Sequence, residues 1–184
     1  MTRSPQVHRL NMQAFAGEGA SLSETTLLQN LQRLAKEVQG LLPNLSVGWQ
    51  AHGEMRAASG SSGAAGEEQD VWLRLQASTS MPLSCQRCLG PVMVTLEIDQ
   101  WYRFVASEEI AMAEDDQSEE DLLVMEPQFD LLAVLEDELL MALPLVPMHE
   151  QCPVATRISA GETELPEQSA EKPNPFAVLA KLKK

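Results

Sequence analysis

Aromatic side chains are scarce in this sequence: three Trp, one Tyr and four Phe among 184 residues. A core built from it must lean on Leu, Val, Ala and Met, and the 44% hydrophobic share is enough to supply one. Positive charge is scarce too. Thirteen Lys and Arg face 27 Asp and Glu, a formal net charge of -14. The bulk surface is therefore unsuited to phosphate backbones, which argues against DNA as a partner and favours a basic one. Cysteine numbers only three, an odd count that does not make a secreted disulfide framework. No apolar run reaches membrane-spanning length, and no hydrophobic segment of signal-peptide type follows Met1-Thr2-Arg3-Ser4-Pro5-Gln6. No membrane partner is expected, and the cytoplasm is the expected location. The sequence also lacks Gly-x-Gly-x-x-Gly, a phosphate loop, His-Glu-x-x-His and Gly-x-Ser-x-Gly, so an enzyme is not expected.

All three cysteines belong to two short pairs, Cys85-Gln86-Arg87-Cys88 and His149-Glu150-Gln151-Cys152. Each pair leaves two residues between its members, the spacing at which one turn can aim two ligands at one ion. Brought together, Cys85, Cys88, His149 and Cys152 would form a closed Cys₃His site of the kind that holds structural zinc. Without that meeting they are two idle or buried pairs. A catalytic Cys-x-x-Cys usually opens a helix, whose N-terminus lowers the thiol pKa. Here Gly90-Pro91 blocks a helix after the pair, so redox catalysis is the weaker reading.

Periodicity predicts a helix over 21–42, with Ser21 and Glu24 as a capping box and Leu27, Leu31, Leu34, Val38 and Leu41 as its apolar stripe. Period-two alternation predicts strands at 46–57 (Val47, Trp49, Ala51, Met55), after 70 (Val71, Leu73, Leu75, Ala77) and from Val92 to Phe104. The opposite faces carry Arg56, Arg74 and Gln76, so one side of the sheet should meet water. A small, polar loop, Ser59–Gly66, joins the first two strands. Residues 107–126 are dense in Asp and Glu and read as an acidic, mobile loop or as an insert that becomes ordered on a partner. A second helix is expected over 130–143, capped by Asp130, mostly apolar around its girth, with Glu136, Asp137 and Glu138 on its solvated arc. Pro144 and Pro147 should then turn the chain towards His149. At the end, Asn174-Pro175 opens a short helix with Lys181, Lys183 and Lys184 in its last turn.

For nucleic-acid contact the candidate cations are Arg74, Arg87, Arg103, Lys172, Lys181, Lys183 and Lys184. Arg87 is the best placed, because a metal-braced turn would present its guanidinium rigidly. The aromatic interleaving typical of single-strand binders is mostly missing.

Three segments together resemble the bacterial YceD family: Leu83-Ser84-Cys85-Gln86-Arg87-Cys88-Leu89; the run from Asp130 to Pro147 with its Pro-Leu-Val-Pro exit; and Lys172-Pro173-Asn174-Pro175-Phe176-Ala177-Val178-Leu179. The resemblance runs from about residue 70 to the end. It implies a small cytoplasmic protein needed for accumulation of large-subunit ribosomal RNA, in a family for which no enzymatic activity is established. Many relatives carry further cysteines just after that exit, where this chain offers His149 and Cys152.

The expected architecture is α+β: an antiparallel sheet of about four strands packed with two main helices, an acidic loop and a short C-terminal helix. Residues 1–160 would form one domain and 161–184 a flexible tail. The expected function is that of a non-enzymatic ribosome-biogenesis factor acting on large-subunit ribosomal RNA or a precursor particle, with a basic ribosomal protein as a further candidate partner. Two other readings stand beside it: an acidic adaptor for a basic partner with no RNA role, and a thiol enzyme.

Overall fold

The computed structural model describes residues 7–40, 44–57 and 69–153. The chain divides into a unit Met1–Pro153 and a second, Val154–Lys184, which lies outside the described residues together with the expected lysine-bearing helix and the 59–66 loop.

The elements are α1 (Met12–Gly17), β1 (Ser21–Leu27), β2 (Ser46–Ala57), β3 (Gln69–Ser84), β4 (Pro91–Val105), α2 (Glu108–Glu114), β5 (Asp121–Val124) and α3 (Leu131–Met141). The class is α+β, but the sheet has five strands in the order β1-β2-β3-β4-β5. β1 to β4 are antiparallel neighbours, whereas β5 joins β4 in parallel, so the sheet is mixed. A fifth, parallel strand needs a crossover connection, and the 107–126 segment provides it.

Alternation in β2, β3 and β4 sets the inner face. Val47, Trp49, Ala51, Val71, Leu73, Leu75, Leu96, Tyr102 and Phe104 are all buried there. Gly53 lies on the same face because α1 crosses it: a Cβ there would stand 2.5 Å from Phe15 Cδ1 and 3.1 Å from the Ala16 Cα. Asn11 caps α1 by accepting a hydrogen bond from the Ala14 amide. The N-terminal segment also bridges Leu10 to Phe129 through paired backbone hydrogen bonds, closing the same core.

The helix predicted over 21–42 is not formed. Residues 21–27 pair with β2, and Ser21 Oγ meets His52 Nδ1 at 2.9 Å instead of capping a helix. Two 3₁₀ turns, Leu28–Asn30 and Leu34–Lys36, follow. They bury Leu28, Leu31 and Leu34 at intervals of three, which is the 3₁₀ period. The leucine spacing therefore marked true core residues but the wrong helix type, while Leu27 is exposed. Leu41 lies outside the described residues.

α3 begins as expected, with the Asp130 side chain accepting from the Ala133 amide. It is not sandwiched between layers: Leu131, Leu135 and Leu139 face the core while Ala133 and Met141 are exposed. Glu136 is not on a solvated arc either. Its Oε1 accepts from the amides of Arg33 (2.6 Å) and Leu34 (3.1 Å), and its Oε2 from Arg33 Nε (3.0 Å). This buried carboxylate satisfies the amides at the start of the second 3₁₀ turn and ties it to α3.

The acidic stretch 107–126 is ordered, not a loop. It forms α2, a 3₁₀ turn Asp115–Gln117 and β5. What fixes it is Arg103 of β4, whose side chain is only 8% exposed. Its guanidinium donates to Glu120 (2.7 Å), Glu114 (2.9 Å) and Ser118 (2.9 Å). Arg103 is therefore a buried structural cation and not a surface contact for nucleic acid.

Candidate metal centre

Cys85 and Cys88 occupy the reversal between β3 and β4. The Cys85 amide donates to the Gly90 carbonyl (2.9 Å) and the Leu89 amide to the Cys85 carbonyl (2.8 Å), which makes the turn tight. Closing it drives Leu89 to φ 59, a left-handed conformation costing roughly 1–2 kcal/mol for a residue with a Cβ. Gln39 braces the turn from outside, donating its side-chain amide to the Leu89 carbonyl at 2.8 Å. The segment after α3 then crosses beneath: the Gln86 amide donates to the Pro147 carbonyl at 2.9 Å. That contact delivers His149 and Cys152 to the turn.

The ligand atoms of Cys85, Cys88, His149 and Cys152 lie within 4.8 Å of one another. Cys85 and Cys152 Sγ are 3.9 Å apart, and Cys88 Sγ is 3.5 Å from His149 Nδ1. Tetrahedral zinc, with bonds of about 2.3 Å to sulfur and 2.0 Å to nitrogen, would space such pairs by about 3.5–3.8 Å. His149 Nε2 stands 2.9 Å from the Pro91 carbonyl, so it donates there and leaves the Nδ1 lone pair facing the sulfurs. Burial pushes the Cys85 thiol up, but the amides of Cys88, His149 and Arg87 outweigh it and bring the thiol well below its ordinary value. Burial and the neighbouring Cys88 and Cys85 push Cys152 the other way. Three sulfurs and an imidazole nitrogen at this spacing are a donor set that fits zinc or another soft divalent metal.

Arg87 is exposed at the tip of the turn. Lys172, Lys181, Lys183 and Lys184 lie outside the described residues. Arg74 is engaged across β4, donating to both oxygens of Asp99 at 2.8 Å.

A second cluster escaped the sequence reading. On the outer face of the sheet the β3–β4 register sets Trp72 opposite Arg103 and Arg74 opposite Trp101. The Trp72 and Trp101 rings meet edge-on with centroids 6.3 Å apart. The Arg56 guanidinium lies 4.2 Å from the first ring centre and 3.9 Å from the second. The only hint in the sequence was that both tryptophans sit in the polar phase of strand alternation.

These features define the class: a small α+β protein whose sheet carries a Cys₃His cluster at a strand reversal. A family model described as "Large ribosomal RNA subunit accumulation protein YceD" matches residues 73–183, and the chain belongs to the YceD family. The Haemophilus influenzae protein of that description is 42% identical over 122 residues, covering 61% of this chain and 66% of the relative, just under two thirds of its length. No solved structure matches the chain. Among the described residues no helix is long and apolar enough to cross a membrane.

Proposed function

We propose that the protein is a non-enzymatic factor that supports accumulation of large-subunit ribosomal RNA, acting in the cytoplasm on that RNA or on a precursor particle. The observation that carries this reading is the extent of the family match: residues 73–183 include all four cluster ligands, Arg87 and three of the four candidate lysines. In this reading Cys85, Cys88, His149 and Cys152 hold a structural zinc. A site with four protein ligands leaves the ion no open position, so it shapes the turn and does not take a substrate. Arg87, presented by the braced turn, and Lys172, Lys181, Lys183 and Lys184 contact phosphate groups. The acidic surface around α2 suits a basic ribosomal protein.

The test is a sucrose-gradient analysis of cells lacking the gene. A deficit of large-subunit relative to small-subunit RNA, restored by the intact gene, supports the function. An unchanged ratio overturns it.

A further inference from the structure

The α2 module covers the outer face of the sheet at its Arg103 end, while α1 and α3 pack on the inner face, which leaves the outer face from Trp101 towards β1 uncovered among the described residues. It is also where this aromatic-poor chain puts two of its three tryptophans. Trp101 is half-buried and keeps part of its ring open, with Arg56 over it and Arg74 5.5 Å from its centre. A guanidinium over an indole ring occupies the place a nucleobase would take, because both groups bind to the same aromatic face.

From Trp101 the face continues into an open trough of about 670 Å³, floored at Gly48 and lined by Ser23, Thr25, Gln50, Gln76 and Ser78. Hydroxyl and amide groups of this kind both donate and accept, as base edges require. Five carboxylates also bear on the face, among them Glu24 at the trough and Asp70 opposite Arg56. Glu54 is paired with Arg56, Asp99 with Arg74 and Gln76, and Glu97 lies at the far end of the trough. Phosphates therefore belong at the Arg56–Arg74 end, away from Glu97.

One further group points to a ligand. The Trp72 indole N–H is buried within this cluster and has no acceptor among the described residues, in a residue only 8% exposed. An unmatched buried donor is destabilising, and a native structure that retains one calls for an explanation. The Arg56 guanidinium lies 4.2 Å from the centre of this ring.

We propose that the outer sheet face binds an unpaired RNA segment, one base stacking on Trp101 in place of Arg56 while Arg56 and Arg74 take the adjoining phosphates. The proposal rests on the functional reading above and adds a base-stacking contact on a surface apart from the Cys85–Cys88 turn. Its support is the convergence of two guanidiniums and two indole rings on one face.

The experiment titrates the full chain with a short fluorescein-labelled oligouridylate, following anisotropy and tryptophan emission. Binding with quenched emission is expected. Trp101→Ala should weaken it about tenfold, Trp101→Phe should restore most of it, and Arg74→Gln should weaken it with a shallower salt dependence. Thermal melts of each variant separate lost binding from lost folding. Unchanged binding in folded Trp101→Ala, or a preference for a lysine-rich peptide over the oligonucleotide, would overturn the proposal. The same variant is expressed in cells lacking the gene. If both it and the intact chain restore large-subunit RNA, the sheet-face proposal falls and the function stands. If the intact chain leaves large-subunit RNA unchanged, the functional reading falls, and the titration still decides whether this face binds RNA.

Discussion

His149 donates its Nε2 proton to the Pro91 carbonyl at 2.9 Å, across the same turn whose Cys88 sulfur lies 3.5 Å from its Nδ1. The first residue of β4 therefore fixes the tautomer of a ligand that arrives only after α3. One hydrogen bond couples the strand reversal to the last segment of the fold.

The protein should bind one zinc per chain, measurable by elemental analysis, and a strong chelator should lower its melting temperature. His149→Cys should retain the metal, because thiolate is also a zinc ligand. His149→Ala should lose it to a competing chelator at concentrations the wild type resists. Equal metal content in wild type and His149→Ala would remove His149 from the site.

Replacing Arg103 by Met should release the acidic module. The substitution keeps volume but strands Glu114 and Glu120 without their cation, and breaking such a pair costs about 3–5 kcal/mol. The expected results are a lower urea midpoint and protease cleavage between Glu108 and Glu120. A variant that resists cleavage as the wild type does would refute the clamp.

Glu136→Ala should leave the Arg33 and Leu34 amides without their acceptor. Each buried group left unmatched costs about 1–3 kcal/mol, so the urea midpoint should fall clearly. Asp137→Ala, which removes only an exposed partner of Arg33, should shift it by less than half as much. Equal effects would show that Glu136 acts merely as a surface charge.

Gly53→Ala should destabilise by about 1–3 kcal/mol, since the new methyl would overlap Phe15 and the α1 backbone. The double variant with Phe15→Leu should recover part of the loss in equilibrium unfolding. Gly48→Ala is the control, because nothing lies within 4 Å of a Cβ there.

How much of this was legible in the sequence depended on the range of the interaction. Alternation along β2, β3 and β4 is a local signal and located the inner face and the metal turn. Asp130 caps α3 through an amide three residues on, and that too could be read. The first segment misled because Leu31, Leu34 and Val38 suit a helical stripe, while pairing with β2 and the 3₁₀ turns decide the outcome. The acidic stretch looked unstructured because the cation that orders it stands in the preceding strand. Glu136 and the Trp72–Trp101–Arg56 cluster were invisible for the same reason: their partners are distant in sequence, and only strand register or helix packing introduces them.

β4 begins at Pro91, beside the Cys₃His cluster, and reaches Arg103, beside the acidic module. At about 3.3 Å per residue this sets the two about 40 Å apart on one extended backbone. Side chains so separated share no partners, so damage at one end should add to damage at the other without amplifying it. The strand thus acts as a beam between two independent fittings, and either could be lost or redesigned while the other keeps its shape.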